Sequence, residues 1–157
     1  GKKIIGFRNA MNLPNQPKSM VVVGSGAIGV EFAYFYATMG TKVTIVEFLP
    51  NIVPVEDEEV SKQLEKSLKK IGIEVMTEAS VESVDTKGDI SKATVKTKTG
   101  NVVLEAEIVL SAVGIQANIE NLGLEALGIK TDKGKIVTDK YYATNVAGYY
   151  AIGDCVG

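Results

Sequence analysis

The spacing of apolar and polar positions changes several times along the chain, and each change marks an element. Met20-Val21-Val22-Val23 is a short unbroken apolar run ended by Gly24, the pattern of a strand covered on both faces in a parallel sheet. Beyond the glycines, Ile28, Phe32, Phe35 and Met39 recur at helical spacing and predict an amphipathic helix closing at Gly40. Lys42 to Glu47, with Val43, Thr44, Ile45 and Val46 in succession, is β-branched enough to predict a second strand. Pro54 and the acidic run Glu56-Asp57-Glu58-Glu59 open a second long helix. Its last turn carries Lys69 and Lys70, so both ends complement the helix dipole. Val60, Leu64, Leu68 and Ile71 form its expected buried stripe, and Glu58–Lys62 and Glu65–Lys69 are favourable pairs four residues apart. Gly72 stops this helix, and a third strand begins over Ile73 to Met76.

Strand, helix, strand, helix, strand predicts a right-handed parallel unit. The pattern then shifts. Val81 to Asp85, Lys92 to Lys98 and Asn101 to Glu105 are short segments separated by Gly88-Asp89 and Thr99-Gly100-Asn101, turn chemistry that favours an antiparallel meander. Ile108-Val109-Leu110-Ser111-Ala112-Val113 returns to a buried strand ending at Gly114. Ile136-Val137 and Tyr149-Tyr150-Ala151-Ile152 are further candidate strands, while residues 1–17, with Pro14 and Pro17, show little periodicity and read as a lead-in segment. The fold class expected is α/β: a Rossmann-like, three-layer domain with a central parallel sheet and a three-stranded antiparallel meander as one crossover.

Composition narrows the function. A chain of 157 residues with 45% hydrophobic content supports one ordinary core. A net charge of −2, with lysines interleaved among glutamates, gives no reason to expect a nucleic-acid partner. No apolar stretch reaches the roughly 18 residues of a membrane span, and Gly1 to Ile5, soon followed by Arg8 and Asn9, does not read as a signal peptide. The single cysteine, Cys155, cannot form an internal disulfide, so an intracellular compartment is the default. The chain has no histidine, which removes the commonest general acid/base and the commonest metal ligand together. No metal site and no complete acid–base machinery are expected.

Gly24-Ser25-Gly26-Ala27-Ile28-Gly29 is a G-x-G-x-x-G string, weak alone but here set between an expected strand and an expected helix. The first glycine would make the tight turn, the second would let a pyrophosphate approach, and the third would let helix pack on strand. Amides at the helix start then meet phosphate charge without a basic side chain; the plainer alternative is a glycine-rich turn with no ligand. Glu47 ends the second strand near the roughly 20-residue offset of the acidic residue that binds the adenosine ribose hydroxyls. A carboxylate there accepts from NAD and repels the extra phosphate of NADP. No Arg follows Arg8 and no Lys lies between Val43 and Ser61, so the partner that phosphate needs is missing. A solvated strand-end charge is the alternative for Glu47. NAD over NADP is the expectation.

These motifs, with the tail, resemble the pyridine-nucleotide disulfide oxidoreductases across essentially the whole chain. Three stretches carry the likeness. In the turn Gly24 to Glu31, a glutamate follows the third glycine by two; the resemblance implies that Glu31 lies near a flavin, paired with a lysine of a flavin domain and beside bound nicotinamide. Ser111-Ala112-Val113-Gly114 is similar to the family's strand end where backbone approaches NAD, which carries over Gly114. Relatives often continue with Arg and Pro, whereas this chain has Ile115-Gln116-Ala117-Asn118, so no arginine contact carries over. Thr144 to Asp154 is similar to the second flavin motif, implying that Asp154 binds the FAD ribitol in a longer parent. By the same match Val81 touches adenine, although a β-branched strand residue is equally at home in a core.

Among branches of the family, Val46 to Pro54 followed by Glu56 to Lys62 looks most like the one that oxidises dihydrolipoamide. The resemblance then implies a parent in which a paired-cysteine disulfide, FAD and NAD carry electrons in turn and a His–Glu pair handles protons. Neither the cysteine pair nor the histidine is in this chain, so no catalytic residue is assigned and Cys155 is read as structural. The implied domains are a lead-in from a flavin domain (1–17), an NAD-binding domain (18–143) and the start of a return to the flavin domain (144–157). Implied partners are NAD(H), the parent's FAD and interface domains, a second copy of the full-length protein and a 2-oxoacid dehydrogenase complex. The implied location is the bacterial cytoplasm or the mitochondrial matrix. An NAD domain from another flavoenzyme, such as an NADH oxidase, and an autonomous NAD-sensing module remain alternatives.

Overall fold

The computed structural model describes residues 2–157. The chain divides into two compact units, Gly1–Gly114 and Ile115–Gly157. In chain order the first runs β1 (Ile4–Ile5), α1 (Phe7–Ala10), β2 (Ser19–Val23), α2 (Ala27–Thr38), β3 (Lys42–Val46), α3 (Glu58–Lys70), β4 (Glu74–Met76), β5 (Ser80–Asp85), β6 (Ser91–Thr97), β7 (Gly100–Ala106) and β8 (Ile108–Ser111). Five strands form one parallel sheet in the order β1-β8-β2-β3-β4. The other three, β5-β6-β7, form the antiparallel meander that the turn chemistry anticipated.

Alternation along the central strands explains why apolar runs were needed there. Met20 and Val22 of β2, Val43 and Ile45 of β3 and Leu110 of β8 join Val30, Ala33, Tyr36 and Leu68 of the helices in one core. Val21, Val46 and Val109, one position out of phase, join Val95 and Ala106 of the meander in a second. Helices cover one face of the parallel sheet and the meander covers the other, so successive residues of a strand are buried in turn against different layers. Each fully buried Val, Ile or Leu contributes roughly 1.5–3 kcal/mol of burial free energy.

Both long helices exist where their periodicity placed them, but their buried faces differ from the expected ones. In α2 the buried residues are Gly29, Val30, Ala33 and Tyr36, while Phe35 and Met39 are more than half exposed. This helix is apolar nearly all round, so spacing alone does not single out a face. The small residues decide it, because only Gly29 and Ala33 let the helix close on the sheet. In α3, Ser61 and Leu68 are buried with Leu64 partly so, whereas Val60 and Ile71 lie at 55% and 45% exposure. The Ser61 hydroxyl donates to Val53 O (3.4 Å), which turns the helix one position away from the expected stripe. Asp57 caps α3 by accepting from the Glu59 and Val60 amides, and the two expected ion pairs form along its exposed side.

Two further expectations change. The lead-in segment contains ordered elements: β1 adds an edge strand beside β8, and α1 is pinned by the Tyr36 hydroxyl, which donates to Ala10 O at 2.5 Å. Strand β8 ends at Ser111, short of Val113. In the second unit, β9 (Thr131–Asp132) and β10 (Lys135–Ile136) form a small antiparallel hairpin. Tyr149–Ile152 is not a strand there; only Tyr150 bridges to Ala143. Loop geometry is set by Asn145, whose side chain accepts from the Lys130 amide and donates to Gly128 O. The sulfur of Cys155 donates to Ile152 O, a local contact.

Candidate functional site

The carboxyl ends of β2, β3 and β8 meet at one edge of the sheet, where the chain leaves β2 to one side for β3 and returns to the other as β8. Such a switch of direction opens a crevice beyond the strand ends. Here it has a volume of about 530 Å³ and is lined by Gly24, Ser25, Gly26, Glu47, Val81 and Gly114 among others. A larger hollow of about 670 Å³ lies against the beginning of β8, lined by Arg8, Asn12 and Gln16. It has no glycine turn leading from a strand into a helix and so lacks the central feature of a dinucleotide site.

The three glycines of the turn divide their work. Gly24 has φ +95°, and a Cβ there would lie 2.6 Å from the Ala112 carbonyl oxygen, so this turn passes β8 too closely for any side chain. A Cβ on Gly29 would collide with the Gly24 carbonyl, which is the tight packing of helix against strand. Around Gly26 there is nothing within 4 Å of the added Cβ. That opening is where a ligand backbone has room to approach. No side chain caps α2, and the first amide bonded within it is that of Val30, to Gly26 O at 3.0 Å. The amides of Ala27, Ile28 and Gly29 therefore begin the helix without an acceptor among the described residues, suited to an anion.

Glu47 is 7% exposed, unusual for a carboxylate, and its burial is compensated in full view of the crevice. Oε2 accepts from the Ser25 amide (2.8 Å) and from Ser25 Oγ (2.6 Å), and Oε1 accepts from the Leu49 amide (2.8 Å). The Glu47 backbone donates to Met76 O at 2.8 Å and accepts from the Ala79 amide at 2.9 Å. Ser25 is wholly buried, and its own carbonyl accepts from the Val53 amide at 3.0 Å. The amide of Ser25 is thus engaged by protein, and this residue enters the site by holding Glu47 rather than by offering a free donor. Oε1, with one partner, retains acceptor capacity for a hydroxyl.

The structure brings six of the sequence-derived positions into one crevice. Ala27, Ile28 and Gly29 stand behind it at the start of α2, and Glu31 is exposed on that helix without lining the crevice. Asp154 is exposed in the second unit. Crevice walls that motif reading missed include Phe48 and Val113, which are 73% and 74% exposed, together with Leu49, Pro54 and Ser80. Phe48 carried a legible signal, an aromatic residue directly after the strand-end carboxylate. Pro54 and Ser80 carried none, because loops bring them in. Among the described residues no cluster of His, Cys, Asp or Glu could hold a metal ion, and no helix is long and apolar enough to cross a membrane.

Comparison with known proteins places the chain in a family. The family model described as pyridine nucleotide-disulphide oxidoreductase matches residues 1–157. A dihydrolipoyl dehydrogenase of Rhizobium etli is 51% identical over all of this chain and 33% of its own length. The mitochondrial dihydrolipoyl dehydrogenase of Pisum sativum is 40% identical over 99% of this chain and 32% of its own. The crystal structure of LpdA from Mycobacterium tuberculosis superposes with a TM-score of 0.85 at 32% identity, covering 98% of this chain and 33% of that one. The chain spans about a third of the length of the relatives it matches.

Proposed function

The chain belongs to the pyridine nucleotide-disulphide oxidoreductase family, and from that membership we propose that its crevice binds NAD(H) within a parent dihydrolipoyl dehydrogenase. One observation carries the reading: a buried strand-end carboxylate tied by hydrogen bonds into a glycine turn whose middle glycine faces open space. The residues fit the coenzyme. Open amides of Ala27, Ile28 and Gly29 suit its diphosphate, the spare capacity of Glu47 Oε1 suits a ribose hydroxyl, Val81 forms an apolar wall for adenine, and Gly114 lets backbone approach. When bound, NAD supplies a two-electron hydride acceptor. The chain's own contribution is to bind and orient it, since catalytic cysteines and histidine are not in these residues.

In the parent, residues 1–17 arrive from a flavin domain, 18–143 form the NAD-binding domain, and 144–157 lead back. Glu31 would then face the flavin and its lysine partner, and Asp154 would bind the FAD ribitol. The parent's reaction oxidises dihydrolipoamide to lipoamide and reduces NAD, through a disulfide and FAD held elsewhere in the protein. It works as a homodimer associated with a 2-oxoacid dehydrogenase complex, in the bacterial cytoplasm or, in a eukaryote, the mitochondrial matrix. The names of the relatives, a dihydrolipoyl dehydrogenase in a bacterium and a mitochondrial one in a plant, support the reaction and the two locations.

Titration of the purified chain with NADH and with NADPH tests the coenzyme reading. An anion fixed beside the ribose repels a second phosphate, so NADH should bind about tenfold or more tightly. Glu47→Gln should erase most of that preference. Equal affinities in the unaltered chain would remove the reading.

A further inference from the structure

Ser25 is the most completely engaged residue of the turn, and its engagement is with two segments outside it. Its amide and hydroxyl both donate to Glu47 Oε2, and its carbonyl accepts from Val53. Val53 is itself unusual. It is a buried β-branched residue at φ +41°, a backbone region that such side chains avoid, and its own carbonyl accepts from the Glu56 amide (2.9 Å) and the Ser61 hydroxyl (3.4 Å). A strained conformation persists only where the surroundings over-determine it. Glu47, Ser25 and Val53 therefore form one locked unit beneath the crevice.

We infer that Ser25 is a positioning residue for coenzyme selectivity: its hydroxyl immobilises the Glu47 carboxylate, so that the charge cannot turn away from a 2′-phosphate. This rests on the reading of the crevice as an NAD(H) site. A carboxylate held by a single donor on each oxygen could rotate towards solvent and let NADPH settle. With Ser25 Oγ and the Ser25 amide both on Oε2 and the Leu49 amide on Oε1, rotation breaks three hydrogen bonds to a charged and largely buried acceptor. The serine touches no part of the coenzyme in this scheme. It acts through Glu47 alone.

The test is a double-mutant cycle on the NADH-to-NADPH affinity ratio, measured by fluorescence titration of the purified chain, with thermal unfolding recorded for every variant. Ser25→Ala should lower that ratio roughly three- to tenfold, a part of the tenfold or greater effect of one hydrogen bond to a charged group, because the Ser25 and Leu49 amides still hold the carboxylate. In a Glu47→Gln background the same serine change should alter the ratio less than about twofold, because the charge it steadies is gone. A purely structural serine would weaken both coenzymes alike and leave the ratio unmoved. Ser25→Ala with an unchanged ratio, or an equal serine effect in both backgrounds, overturns the inference while the coenzyme reading stands. If instead Glu47→Gln keeps the original ratio, the coenzyme reading fails first and the inference with it. Should the alanine variant not fold, Ser25→Cys keeps the volume with a weak donor and reads the same quantity.

Discussion

A missing side chain can serve an opening or a contact, and the glycine turn holds both kinds within four residues. Gly26 has φ −62° and empty space around its would-be Cβ, while Gly29 is pressed against the Gly24 carbonyl. The same substitution should thus have opposite consequences. Gly26→Ala should unfold at a urea midpoint close to that of the unaltered chain yet lose about tenfold or more of its NADH affinity, since a methyl fills the approach to the turn. Gly29→Ala should cost about 1–3 kcal/mol or more of stability through overpacking. Equilibrium unfolding and coenzyme titration on the same samples separate the two outcomes, and a folded Gly26→Ala that binds normally would contradict the role given to the opening.

Between elements, a single hydroxyl joins the first helix to the second. The Tyr36 phenol is buried, donates to Ala10 O, and packs edge-on against Phe35 at a ring separation of 5.2 Å. Burial pushes its pKa above the ordinary 10.0. The folded state therefore keeps this proton at a pH where the unfolded chain has lost it. The resulting stability is constant below about pH 10 and falls as pH rises through that value towards the raised one. Tyr36→Phe should cost roughly 1–3 kcal/mol at neutral pH, because Ala10 O loses its partner. It should also flatten the alkaline decline. Urea midpoints across pH 7 to 11 for both proteins measure the difference, and parallel curves would refute the assignment.

At the scale of the whole molecule, the chain covers a third of the length of its relatives and contains one cysteine and no histidine. A dithiol oxidation through a disulfide needs two paired cysteines to accept the electrons, and a single cysteine cannot supply that pair within these residues. The purified chain should bind NADH but form none from dihydrolipoamide and NAD, whatever flavin is added. Appearance of NADH absorbance at 340 nm above a protein-free control would overturn this. In the proposed full-length parent, Glu47→Gln should raise the KM for NAD with little change in kcat, the signature of a contact equally strong in ground and transition states.

Much of this protein is local in origin and could be read from the chain. The G-x-G-x-x-G string, the β-branched runs, the acid-to-base gradient of α3 and the hairpin turns each depend on residues a few positions apart, so periodicity and turn chemistry suffice. The position of Glu47 at the end of β3 was legible for the same reason. What only tertiary structure decided is what depends on distant partners. The face α2 buries follows from how closely Gly29 can approach Gly24 and Ala112, and the rotation of α3 follows from Ser61 reaching Val53. Residues 4–5 carry no periodic signal, yet they become a strand because β8, about a hundred residues away, offers an unpaired edge. The grip of Ser25 on Glu47 spans 22 residues of sequence and exists only where β2 and β3 end side by side. Local patterns specify elements through short-range sterics; their faces and clasps are settled by close packing, in which each surface is shaped by another that sequence spacing does not reveal.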